Sequence, residues 1–139
     1  MPVRSFALRK KTKGFNDVHD LTPAVSEFLS GSGLREGLVN VFVPGSTAGI
    51  TTIEYESGVV GDLKKALERL VPEGIPYDHD SRWGDGNGFS HVRSSLVGPS
   101  LTIPFGGGGM RLGTWQQIIL IDFDNRPRER EVLVTILGE

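Results

Sequence analysis

Short apolar runs broken by glycine and proline alternate with two stretches of helical period, which predicts a mixed fold richer in strand than in helix. Ser5 to Thr12 sets Phe6, Leu8 and Lys10 on one side, as in a strand with one buried face, and Gly14 ends it. At Asp20-Leu21-Thr22-Pro23 the pattern changes to a helix start, with Thr22 as cap and Pro23 at the first helical position. That helix buries Val25, Phe28 and Leu29 and stops by Gly31 or Gly33. Leu38 to Val43 is a nearly continuous apolar run, expected of a central strand, and Thr51 to Tyr55 forms a second strand beyond the small-residue loop Gly45 to Gly49.

Val59 to Val71 carries Val60, Leu63, Ala66, Leu67 and Leu70 at helical spacing, and Pro72 and Pro76 prevent continuation. Tyr77 to Asn87 is polar and glycine-rich, so it reads as a surface loop or lid anchored by Trp83. A short helix follows over Gly88 to Val97, capped by Asn87, with Val92, Leu96 and Val97 facing inward. Leu101 to Phe105 and Met110 to Thr114 are strands around the turn Gly106 to Gly109, and Trp115 to Phe123 and Glu131 to Leu137 are the last two strands. The expected architecture is a single α+β domain over residues 1–139, with a β-sandwich-like core of mostly antiparallel strands and two main helices.

A length of 139 residues fits one domain and one core. The net charge of -2 offers no basic excess for a nucleic-acid backbone. Absence of cysteine excludes disulfides and thiolate metal sites, so any metal must rest on histidine, carboxylate or carbonyl ligands. The amino terminus lacks the apolar core of a signal peptide and no apolar run approaches a membrane span, so the expected address is the cytoplasm.

Candidate chemistry concentrates between Tyr77 and Asp122. His79 and His91 flank the flexible loop and could converge on one metal or proton-transfer site, to which Asp78, Asp80, Asp85 or Glu54 could add oxygen. The competing account is two ordinary hydrogen-bonded histidines; His19, before the helix cap, is assigned a structural role. Gly45-Ser46-Thr47-Ala48-Gly49 offers hydroxyls and backbone N–H groups to a phosphate, without the lysine of a P-loop. Arg82, Arg93 and Arg111 could pair with phosphate, although a solvated or ion-paired arginine is the commoner finding. Glu54, between Ile53 and Tyr55, is the carboxylate expected to be partly buried, and Trp115 the core partner of a more exposed Gln116.

Val41 to Glu54 (VFVPGSTAGITTIE), Tyr77-Asp78-His79, Asn87 to His91, Leu96 to Pro104 (LVGPSLTIP), Leu112 to Gln117 (LGTWQQ) and the terminal Leu-Gly-Glu together carry a resemblance. Nearly end to end, the chain resembles the YjbQ-like family, also called secondary thiamine-phosphate synthase enzymes. The resemblance implies a homotrimer with pockets near subunit boundaries and a weak thiamine-phosphate synthase activity, which joins a pyrimidine diphosphate to a thiazole phosphate and releases pyrophosphate. It implies a divalent metal, zinc or magnesium, on His79 and His91, Glu54 as a catalytic carboxylate, and Ser46, Thr47, Asn87 and Gln116 as substrate-binding residues. Many relatives carry histidine where this chain has Gly45 and Phe89. That difference favours an alternative, a non-catalytic trimeric binding protein for a small phosphorylated metabolite; a purely structural trimer is a third reading.

Overall fold

The computed structural model describes residues 1–139. Strand β1 (Val3–Thr12) is followed by β2 (Asp17–Asp20), helix α1 (Thr22–Gly31), strands β3 (Gly37–Phe42) and β4 (Ala48–Ile53), and helix α2 (Ser57–Leu70). Two short helices, α3 (Asp78–Trp83) and α4 (Gly88–Val97), precede β5 (Ser100–Gly106), β6 (Gly109–Met110), β7 (Gln117–Asp122) and β8 (Arg128–Gly138). All strand pairs are antiparallel. They form a five-stranded sheet in the order β1-β8-β3-β5-β6 and a three-stranded sheet in the order β2-β7-β4.

The two sheets face each other across the main core, where Val39, Val41, Ile103, Val132, Val134 and Ile136 from the larger sheet meet Ile50, Ile118 and Leu120 from the smaller. Helix α1 contributes Val25 and Leu29 to this core, and Phe28 stacks on Phe6 with ring centroids 4.8 Å apart. The outer face of β7 supplies Ile119 and Ile121, which with Phe123 pack against Leu67 of α2 and Val97 of α4. Because β7 is covered on both faces, its run Ile118 to Ile121 is apolar without alternation. The result is three layers, sheet on sheet on helix, and no helix is long and apolar enough to cross a membrane.

Several expectations are corrected. The short helix expected over Gly88 to Val97 is present as α4, but a further helix, α3, occupies the segment expected to be a loop. Thr22 does not cap α1: its N–H is received by the Asp20 carboxylate at 3.0 Å and its hydroxyl accepts the Ile118 N–H at 2.8 Å, so Asp20 acts in its place. Met110 to Thr114 is strand only at its start, since β6 ends at Met110. β2 was not foreseen, being only four residues long and mostly polar. Trp115, expected in the core, lies in the turn before β7 and is 72% exposed.

Of the three residues of α4 expected to face inward, Val97 does and two do not. Val92 and Leu96 point outward, while Phe89, Ser90, Arg93 and Ser94 are buried. The polar inner side is held by bonds: Ser90 Oγ donates to the Phe123 carbonyl at 2.5 Å and Ser94 Oγ to the Ala48 carbonyl at 2.6 Å, which pins α4 to the ends of β7 and β4.

Candidate functional site

A cleft of about 470 Å³ opens where the ends of β7 and β8 meet the β3–β4 loop and the helices α3 and α4. The loop lends Gly45, Ser46 and Thr47, α3 lends His79 and Trp83, and β8 lends Arg128 and Arg130. Asp85, Asn87 and His91 complete it. Ligands in layered α/β and α+β proteins commonly sit at such strand ends, where loops converge on a rigid frame.

The two imidazoles do meet: the His79 and His91 ring centroids are 4.3 Å apart, tilted by 39°. What brings them together is the joint between α3 and α4. Tyr77 donates its hydroxyl to the Pro72 carbonyl at 2.6 Å, fixing the start of α3, and the Gly88 N–H donates to Asp80 Oδ1 at 2.8 Å, clasping α4 to it. Glycine at position 88 is needed for this clasp, because a Cβ there would stand 2.5 Å from the Cβ of Tyr77.

His79 Nδ1 is buried and makes no hydrogen bond, although Asp85 Oδ1 is 3.3 Å and Asp80 Oδ1 3.6 Å away. Buried Asn87 Oδ1 likewise lacks a donor. One ligand atom from each of His79, Asp80 and Asp85 falls within 4.8 Å of the others. An unpartnered imidazole nitrogen beside two carboxylates is a donor set that a divalent ion could use, and the imidazole nitrogen suits zinc better than magnesium. Of the oxygen donors considered from the sequence, Asp80 and Asp85 are in place.

Beneath the cleft lies a knot of buried charge. Arg130 donates through Nε and Nη2 to the two oxygens of Asp122 at 2.7 and 2.9 Å, and through Nη2 to Thr47 Oγ1 at 2.7 Å. Asp124 accepts from Thr47 Oγ1 at 3.0 Å, Asn87 Nδ2 at 3.2 Å and Arg128 Nε at 2.8 Å. Burial by itself would raise the Asp124 carboxyl, but the Asn125 N–H, Asn87, Thr47 and Arg128 together outweigh it and bring its pKa down to about 2. Both arginines line the cleft, and neither Arg128 Nη1 nor Arg130 Nη1 makes a hydrogen bond inside the chain.

Burial, and then the neighbouring His79, lower the pKa of His91 from its usual value. His91 of the metal-free protein is therefore expected to titrate below 6.5 by NMR, and the His79→Ala variant to bring it part of the way back, since burial remains. The folded state takes up this proton less readily than the unfolded chain, so the contribution to stability is present above the ordinary value and is lost as pH falls through the folded one. An ordinary His91 titration would contradict this.

Not every expected residue is here. Glu54, expected to be partly buried beside the histidines, is exposed at the end of β4 and does not line the cleft. Gln116 is also outside: it accepts the Gly113 N–H at 3.0 Å and donates to Thr52 Oγ1 at 3.3 Å, holding the turn before β7. Phe89 is buried against Phe15 and Arg93 and so offers no ring to the cleft. Arg93 is fully buried and structural, whereas Arg128, Arg130, Asp122 and Asp124 were missed. The signal for them was the pair of alternating charges Asp122-x-Asp124 and Arg128-x-Arg130 on either side of one short connection, which brings all four side chains together where the chain passes from the smaller sheet to the larger.

The sequence profile of the UPF0047 protein YjbQ-like family matches residues 6–139. A UPF0047 protein of Methanothermobacter thermautotrophicus is 38% identical over 139 residues, covering 100% of this chain and 95% of its own. Among solved structures, a hypothetical protein from Aeropyrum pernix is 36% identical with a TM-score of 0.87 over 100% of both chains. A YbjQ-like protein of unknown function from Sulfolobus solfataricus is 26% identical with a TM-score of 0.89, covering 99% of this chain and 100% of its own. In sequence and in fold alike, the chain belongs to the UPF0047 protein YjbQ-like family.

Proposed function

We propose that the cleft binds a small phosphorylated molecule and that the protein acts on it as a transferase of the thiamine-phosphate synthase kind. The observation that carries this reading is the meeting of two imidazoles 4.3 Å apart in a cleft that also holds the unused Nη1 donors of Arg128 and Arg130. Ser46 and the two guanidinium groups would seat the phosphate, and Gly45, without a side chain, leaves the approach to Arg130 Nη1 open. His79, Asp80 and Asp85, with His91 beside them, would hold a divalent ion, which when bound supplies positive charge to a diphosphate and its leaving oxygen. Because diphosphate leaves readily once its charge is met, the reaction asks for cationic groups more than for a strong base, and this suits a cleft that lacks Glu54. His91, its ring 4.3 Å from that of His79, can offer a hydrogen bond to the departing diphosphate oxygen.

Binding without catalysis is the second reading, favoured by glycine at position 45 and by the buried Phe89, neither of which gives the cleft a further imidazole. Either way the protein is read as a cytoplasmic homotrimer with no nucleic-acid or membrane partner. Support for self-association comes from Val3, Leu137, Leu38 and Pro104, exposed apolar residues in register across four strands of the larger sheet.

Calorimetric titration with zinc and with inorganic phosphate tests the site. Arg128→Gln is expected to weaken phosphate about tenfold, and His79→Ala to weaken zinc by about tenfold or more. A wild-type chain that binds neither would overturn both readings. Turnover of a pyrimidine diphosphate with a thiazole phosphate, lost in His91→Ala, would decide for catalysis; binding without turnover would decide for the second reading.

A further inference from the structure

Resting on the phosphorylated-ligand reading, we infer that Trp83 is the stacking surface for a planar aromatic ring carried by that ligand, and so selects aromatic phosphates over aliphatic ones. Trp83 is the only apolar residue lining a cleft otherwise built of glycine, hydroxyl, amide, imidazole, carboxylate and guanidinium groups. It is 69% exposed, a large apolar ring left open at the edge of a polar cleft.

Its place relative to the imidazoles follows from the helix. His79 and Trp83 lie four residues apart on α3 and therefore neighbour each other on one face, with Cβ atoms about 5–6 Å apart. A ligand with its phosphate toward Arg128 and Arg130 and its reacting centre at the imidazoles therefore has the indole one helical turn from His79. The backbone beneath the ring is fixed. Gly84 takes the left-handed conformation at φ 73° and returns its N–H to the Asp80 carbonyl at 2.8 Å, closing α3. Asn125 Nδ2 holds the Asp85 carbonyl at 2.8 Å. The guanidinium of Arg82 lies 5.7 Å from the indole centroid, which orients the ring by cation–π attraction without burying it. A rigid mount under an open ring is what stacking needs, since little ordering remains to be done when the ligand arrives.

The experiment uses the full chain carrying Trp115→Phe, so that fluorescence reports Trp83 alone; Trp115 is exposed outside the cleft. Phenyl phosphate, cyclohexyl phosphate and inorganic phosphate are titrated into it and into the same chain with Trp83→Ala or Trp83→Phe. Phenyl phosphate is expected to quench Trp83 and to lose about tenfold in affinity with alanine, most of it regained with phenylalanine. Inorganic phosphate is expected to change less than twofold. Equal losses for phenyl and cyclohexyl phosphate, or none, would overturn the stacking role while the phosphate site stands. Failure of inorganic phosphate to bind the unsubstituted chain would remove the phosphate site and this inference with it. A change of oligomeric state in Trp83→Ala, with ligand affinities unchanged, would assign the ring to a subunit interface and overturn the inference.

Discussion

Asp124→Ala is expected to lower the free energy of unfolding by about 3–5 kcal/mol, read as a fall in the urea midpoint with little change in the slope. Asp124 is fully buried and is the common acceptor for Thr47, Asn87, Arg128 and the Asn125 N–H, so its removal strands several donors and one guanidinium at once. Those donors belong to the β3–β4 loop, the start of α4 and the start of β8, three of the segments that line the cleft. Loss of the carboxylate should thus loosen the site as well as the fold, and phosphate affinity should fall with stability. The same group sets an acid dependence. Its pKa falls from 3.8 to about 2 on folding, so the folded protein resists this proton and gains stability wherever the carboxyl is ionised. That gain, on the order of 2 kcal/mol, is fully present above pH 4 and disappears as pH falls towards 2. In Asp124→Asn this segment of the acid-unfolding curve should flatten; a curve that keeps its wild-type steepness would show that the knot is not held by this charge.

Asp124 also marks how far the sequence could be read. The strand runs were legible because period two and continuous apolar stretches follow from burial on one or both faces, and β3, β7 and β8 lie within a few residues of their expected places. The approach of His79 to His91 was legible as well, since they lie twelve positions apart and the helices that carry them are joined only by residues 84–87. The rest depended on pairings between distant positions, such as Thr47 with Asp124 or Arg130 with Thr47, 77 and 83 residues apart, for which local pattern holds no signal. Apolarity itself misled at two places. Trp115 was placed inside on burial tendency, yet its turn is held by Gln116 and leaves the indole outside. In α4, Val92 and Leu96 were read as inner beside Val97, whereas serine and arginine take those inward positions because carbonyls at the ends of β7, β4 and α2 await donors.

Arg93, the arginine among those inward groups, predicts the other large effect. It is fully buried beside Phe89, 5.0 Å from its ring, and donates through Nε and Nη2 to the Val71 carbonyl at 3.1 and 2.8 Å. Nη1 reaches Asn16 Oδ1 at 3.1 Å and Nη2 reaches Glu68 at 2.8 Å. One side chain thus ties α4 to the end of α2 and to the turn at Gly14 to Asn16, where Phe15 and Asn16 hold positive φ. Arg93→Met keeps much of the volume but leaves the Val71 carbonyl and Asn16 Oδ1 buried without these donors, so a loss of about 3–5 kcal/mol and roughly 10 °C in Tm is expected. Arg93→Lys should recover less than half, because an ammonium cannot reproduce the planar fork that serves both acceptors. Arg93 does not line the cleft, yet α4 carries His91 and begins beside Asn87, so faster hydrogen exchange along α4 and weaker zinc and phosphate binding should accompany the loss. A Met variant with an unchanged midpoint would mean that α4 is positioned by its serine bonds alone.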